Sequence, residues 1–146
     1  MNEYKLPVVD PDKMPRVALE LMNSVHEEEI ALVNELGALL LSGLDGAVDE
    51  AAISQSLSAW ITHTREHFEG ENRLMRNHNF PPYPVHKGEH DQVLTQLAQL
   101  EKAWSDNRDV GVLARFLYED WLPWFNAHVK TMDTVTAGFL NQATKP

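Results

Sequence analysis

The sequence predicts an all-α protein, an up-down-up-down antiparallel four-helix bundle with an N-terminal extended arm. Three observations lead there. Apolar residues recur at three-and-four spacing in four long stretches. Short segments carrying Gly, Pro, Asp or Asn separate those stretches. Each stretch also sets at least one histidine on its apolar stripe, as elements lining a shared interior would.

Residues 1–13 carry Pro7 and Pro11 and show no periodicity, so they read as the arm. A first helix is expected from about Met14 to Ser42, with Leu19, Met22, Val33, Leu36 and Leu40 on one face and His26 inside that stripe. Gly43, Asp45 and Gly46 end it. A second runs from about Val48 to Asn77 through Ile53, Leu57, Trp60, Thr64, His67, Glu71 and Leu74. Asn79, Pro81, Pro82 and Pro84 break it, since proline lacks the backbone donor and restricts the residue before it. A third starts near Pro84 or Val85, where proline is tolerated in a first turn, and carries His86, His90, Val93, Leu97, Leu100 and Trp104. Ser105 to Arg108 forms the next turn. The fourth covers roughly Asp109 to Asn141, with Leu117, Trp121, His128, Val135 and Phe139 on one side, and Pro123 should kink or divide it.

A chain of 146 residues fits one domain with a substantial core, and residues 1–146 are expected to form one, with the bundle over 14–142. The 43% hydrophobic and 23% charged residues are ordinary for a water-soluble protein. A formal net charge of -10 argues against nucleic acid, whose phosphates attract Lys and Arg, and against an anionic membrane surface. The absence of cysteine removes disulfides, thiolate zinc sites and cysteine nucleophiles. MNEYKLPVVDPDKMP has no basic region followed by an apolar run, so it does not read as a secretory signal, and no apolar run approaches a membrane span. A cytoplasmic location is the expectation.

The chemistry sits in the histidines. Five of the seven, His26, His67, His86, His90 and His128, fall on inward stripes. His67 and Glu71 are four apart, as are His86 and His90, and such pairs stack on one helix face. Asp133 follows His128 by five residues, which on a regular helix leaves it about 140° round. One inward histidine is more often a satisfied core residue than a ligand, and one HxxxH arises by chance. Five over four helices, with two carboxylates, would otherwise form a polar mid-bundle layer at a cost of several kcal/mol for each unsatisfied group. A metal site is the stronger reading. His63 lies one step off the stripe and His78 at a helix end, so neither reads as a ligand, although His63 could stand behind one. The run Glu27, Glu28, Glu29 reads as a solvated helix segment, and Trp60, Trp104, Trp121 and Trp124 as mostly core.

In that order, His26, His67-x-x-x-Glu71, His86-x-x-x-His90 and His128-x-x-x-x-Asp133 resemble the ligand pattern of the hemerythrins and bacteriohemerythrins. HFEGE, the proline break, HKGEHD and a tryptophan-bearing fourth helix agree, and the likeness spans about residues 17 to 140. It implies a non-haem di-iron centre, with His86, His90 and His128 on one iron and His26 and His67 on the other. Glu71, Asp133 and an oxo or hydroxo group would bridge the two irons, and the iron with two histidines would keep an open place for dioxygen. The donor chemistry points the same way: imidazole suits iron, and two anionic side chains for two metals favour the ferrous pair over high oxidation states. The chain departs from the family at Asn23, Ser24 and Val25, where many bacterial members carry Asp-x-Gln, and at Asn72, where a second glutamate is common. Phe125 stands where the family usually has leucine, three before the fourth-helix histidine, and an arm with Tyr4 replaces an aromatic N-terminal segment.

The expected function is reversible dioxygen binding for storage, delivery or sensing, without covalent chemistry on a substrate. Two alternatives use the same ligands: a di-iron enzyme acting on peroxide or nitric oxide, and simple iron buffering.

Overall fold

The computed structural model describes residues 4–145, so the first three residues of the expected arm lie outside it. The first apolar stripe becomes α1 (Glu20–Leu44), which begins later than the expected Met14. Pro15 biases Met14 away from helical backbone. Asn23 then holds the following residues extended: Val17 N–H donates to Asn23 Oδ1 at 2.8 Å, and Asn23 Nδ2 donates to Val17 O at 2.9 Å. One side chain thus satisfies both backbone groups of Val17, and no helical turn is needed there.

α2 (Glu50–Asn77) and α3 (Tyr83–Asn107) follow the predicted stripes. Asp49 caps α2 by accepting from Ala52 N–H at 3.0 Å. α3 ends at Arg108, whose φ of 50° turns the chain sharply, and Asp109 caps the next helix by accepting from Gly111 N–H at 2.9 Å.

The fourth rod is not one regular helix. α4 (Val110–Arg115), a π-helical turn (Phe116–Trp121), α5 (Leu122–His128), a second π-helical turn (Val129–Asp133) and α6 (Thr134–Ala143) run end to end. The first π turn lies just ahead of Pro123, whose missing N–H and ring disrupt the preceding turn, so the proline divides the rod as expected. The second has a larger consequence. A π turn inserts one residue into the α repeat, so every inward position after it moves on by one. Val135, expected inside, is 59% exposed, whereas Asp133, Thr136, Ala137 and Leu140 are buried.

The rods pack as an antiparallel four-helix bundle, α1 against α2, α2 against α3, and the fourth rod against α3 and α1. His26 lies in the first half of α1, His67 and Glu71 in the second half of α2, His86 and His90 in the first half of α3, and His128 and Asp133 late in the fourth rod. Antiparallel packing therefore carries all of them to one end of the bundle. The other half is apolar: Leu36, Leu40, Ile53, Leu57, Leu97, Leu113 and Leu117 are each at most 2% exposed.

The arm is docked on α1 and the fourth rod. Val8 and Val9 are buried, and Asn34 holds Val9 as Asn23 holds Val17, with both bonds at 2.9 Å. Tyr118 Oη donates to Lys5 O at 2.7 Å, and the Tyr4 ring stacks on Tyr118 at 4.5 Å. Val8 lies directly over Gly37, where a Cβ would sit 2.3 Å from Val8 Cγ2. Gly37→Ala should therefore push the arm off α1 and cost about 1–3 kcal/mol, read as a lowered urea midpoint. An unchanged midpoint would show that the arm's packing contributes nothing.

Candidate metal centre

Seven side chains meet inside the polar end of the bundle, and they are the seven the sequence singles out. His26, His67, Glu71, His86, His90, His128 and Asp133 are all buried. Ligand-type atoms of Glu71, His86, His90, His128 and Asp133 lie within 4.8 Å of one another, and those of His26, His67 and Glu71 form a second such set. Asp133 joins because of the second π turn: its i→i+5 closure makes residues five apart neighbours, and His128 Nε2 stands 3.2 Å from Asp133 Oδ1.

Each carboxylate divides its two oxygens between two groups of imidazoles. Glu71 Oε1 is 3.2 Å from His90 Nε2 and 3.5 Å from His86 Nε2, while Oε2 is 2.8 Å from His67 Nε2 and 4.0 Å from His26 Nε2. Asp133 Oδ1 is 3.2 Å from both His86 Nε2 and His128 Nε2, while Oδ2 is 3.0 Å from His26 Nε2. Three imidazoles share one pair of oxygens and two share the other. Glu71 Oε1, Asp133 Oδ1 and His90 Nε2 are buried with no hydrogen-bond partner. Stranding three polar atoms at one spot is costly unless a cation accepts their lone pairs. The donor set, imidazole nitrogen with two carboxylates, fits iron.

Four of the five rings are held from behind through Nδ1. His67 Nδ1 donates to Glu29 Oε1 at 3.1 Å, His90 Nδ1 to Asn72 Oδ1 at 2.9 Å, His128 Nδ1 to Glu89 Oε1 at 2.8 Å, and His86 Nδ1 pairs with Thr136 Oγ1 at 2.7 Å. Carboxylate and amide oxygens only accept, so in a neutral ring the proton sits on Nδ1 and the Nε2 lone pair faces the centre. His26 is the exception, with Nδ1 buried and unpartnered. That matches the departure at Asn23, Ser24 and Val25: Asn23 is spent on Val17. Asn72, the other polar departure, keeps a holding role. Phe125 meets the His26 ring edge-on at 6.0 Å and is itself stacked on Trp121 at 4.5 Å.

Glu29 corrects the reading of Glu27–Glu28–Glu29 as a solvated segment. It is 1% exposed and also accepts from Trp60 Nε1 and from Thr64 Oγ1 at 2.8 Å. His63 stands behind it, its Nδ1 3.0 Å from Glu29 Oε1 and its Nε2 3.2 Å from the exposed Glu28. His63 is thus outside the centre but tied to it through Glu29. His78 caps the C-terminus of α2, away from the centre.

Burial alone would lower the His86 pKa, but the Asp133 and Glu71 carboxylates close to its Nε2 outweigh this and raise it to about 9. Burial likewise opposes protonation of His67, yet Glu71 and Glu29 hold its pKa well above 6.5. Burial would raise Glu71 and Asp133, but the surrounding imidazoles keep both below the usual carboxylate range. The metal-free centre thus holds protons where a cation belongs. Metal uptake at neutral pH should release protons, and affinity should rise with pH until His86 is neutral near 9. The sign for the metal-free fold is opposite: a raised His86 pKa stabilises below 6.5, and that contribution is lost as pH climbs through about 9. Titrating Fe(II) into weakly buffered protein with a pH indicator checks this, and uptake without acidification would contradict it.

Residues 17–140 match the family described as Hemerythrin HHE cation binding domain. A bacteriohemerythrin of Aquifex aeolicus (strain VF5) is 32% identical over 130 residues, covering 89% of this chain and 95% of that protein. A bacteriohemerythrin of Ralstonia nicotianae is 37% identical over 93 residues, covering 64% of this chain and 66% of that one. The crystal structure of a wild-type hemerythrin superposes with a TM-score of 0.77 at 20% identity, over 94% of this chain and 99% of that chain, which is a likeness of fold.

Proposed function

We infer, from the premise that the chain belongs to the hemerythrin family, that it is a non-haem di-iron protein that binds dioxygen reversibly. One observation carries this reading: Glu71 and Asp133 each present one oxygen to His86, His90 or His128 and the other to His26 or His67. In this reading His86, His90 and His128 hold one iron, and His26 and His67 hold the other. Glu71 and Asp133, each with one oxygen toward either group, would serve both irons. When bound, the iron pair supplies the electrons for reversible reduction of dioxygen.

The chain's own residues set the outcome. The two-imidazole side has one fewer protein donor, so it keeps a place for an incoming ligand. Only two of the seven side chains are anionic, which favours the ferrous pair and disfavours the high oxidation states that oxidise substrates. The protein is a binder of dioxygen rather than an enzyme. Phe125, backed by Trp121, sets an apolar ring edge-on against His26. No helix among the described residues is long and apolar enough to cross a membrane, and we propose a cytoplasmic setting in keeping with a cysteine-free chain.

The test is an absorption spectrum of iron-loaded protein, reduced without oxygen and then exposed to air. A band that appears with oxygen and fades when oxygen is removed supports the reading. A reduced, iron-loaded sample that gives no such band contradicts it.

A further inference from the structure

A cleft of about 300 Å³ opens between α1 and α2, walled by Leu21, Met22, Val25, Gly70 and Leu74, and its floor is formed by His67 and Glu71. Those two keep the largest residual exposures of the seven central residues, 7% and 4%. Aromatic rings pack against three of the other central residues. Phe68 stacks on His90 at 4.0 Å, Trp124 stacks on His128 at 4.4 Å, and Phe125 closes over His26. Three further clefts, bordered by Gln55 and Ala59, by Leu94 and Ala98, and by Val9 and Lys130, touch none of the seven.

We propose that this α1–α2 cleft is the passage by which small ligands, an uncharged diatomic gas or a small linear anion, reach the two-imidazole side of the centre. The inference rests on the di-iron reading above. The wall is mostly apolar, which suits an uncharged gas. Gly70 keeps the passage open: a Cβ there would find no atom within 4 Å, so a larger side chain enters the opening without displacing the bundle. Glu66 and Arg73 stand exposed at the mouth and leave it wet, while Leu21, 60% exposed, forms its apolar lip.

Two measurements test the passage. In crystals of the unaltered protein pressurised with xenon, which occupies apolar cavities, density is expected among Met22, Val25 and Leu74. In stopped flow with the oxidised, iron-loaded protein, Gly70→Phe should slow azide association about tenfold or more, while Gly88→Phe, at an exposed and equally open glycine of α3, should stay within about twofold. Gly70→Leu is the smaller plug if the phenylalanine variant loads iron poorly, and it should slow association less. Xenon absent from the cleft, or azide rates in the Gly70 variants within about twofold of the unaltered protein, would overturn the proposal. Failure of the di-iron reading looks different: the unaltered protein would lack iron, whatever xenon does.

Discussion

Glu71→Ala is expected to abolish paired iron uptake, with the second iron bound at least about a hundredfold more weakly than in the unaltered protein. Glu71 is the one residue common to both ligand-atom sets, and its removal takes away the carboxylate oxygens that face Nε2 of His67 and Nε2 of His90. The metal-free variant should still fold, at lower stability, because the apolar half of the bundle is untouched. Metal analysis after anaerobic loading with Fe(II) checks this. Two irons retained per chain in Glu71→Ala would contradict it.

Glu29→Gln is expected to lower metal-free stability by about 3 kcal/mol or more, since four donors converge on one buried carboxylate. The amide would point a donor of its own at imidazoles or hydroxyl that already donate. Burial would raise the Glu29 pKa, yet the bonds from His63 and His67 outweigh it and bring it from 4.5 to about 2. A depressed carboxyl pKa stabilises above 4.5, and that contribution is lost as pH falls towards 2. The gap between wild type and variant, read from urea midpoints, should therefore be full at pH 6 and shrink below about 4.5. Because Glu29 holds the His67 ring, the variant should also bind iron about 10–100-fold more weakly. Equal stability at pH 6 would rule out a holding role.

The stripes and the histidine positions were legible in the sequence because helical period and antiparallel packing together fix which residues meet. His26, His67, His86, His90 and His128 needed nothing more. Asp133 did not follow from the period, since a regular helix turns it away; only the family likeness picked it out, and the π turn at Val129–Asp133 supplies the physical reason. The same inserted residue explains why Val135 was misplaced and Thr136 overlooked. Glu29 was lost in an acidic run, though a signal existed: it falls three after His26 and four before Val33, on the stripe itself. The partners Asn72 and Glu89, and the clasps by Asn23 and Asn34, depend on contacts between distant segments, which no local pattern encodes.

The division of carboxylate oxygens between two groups of imidazoles is tested most directly by anomalous diffraction at the iron edge from crystals of the loaded protein. Two peaks are predicted, one among His86, His90 and His128 and the other beside His26 and His67, with Glu71 and Asp133 between them. A single peak, or iron bound away from these seven side chains, would contradict it.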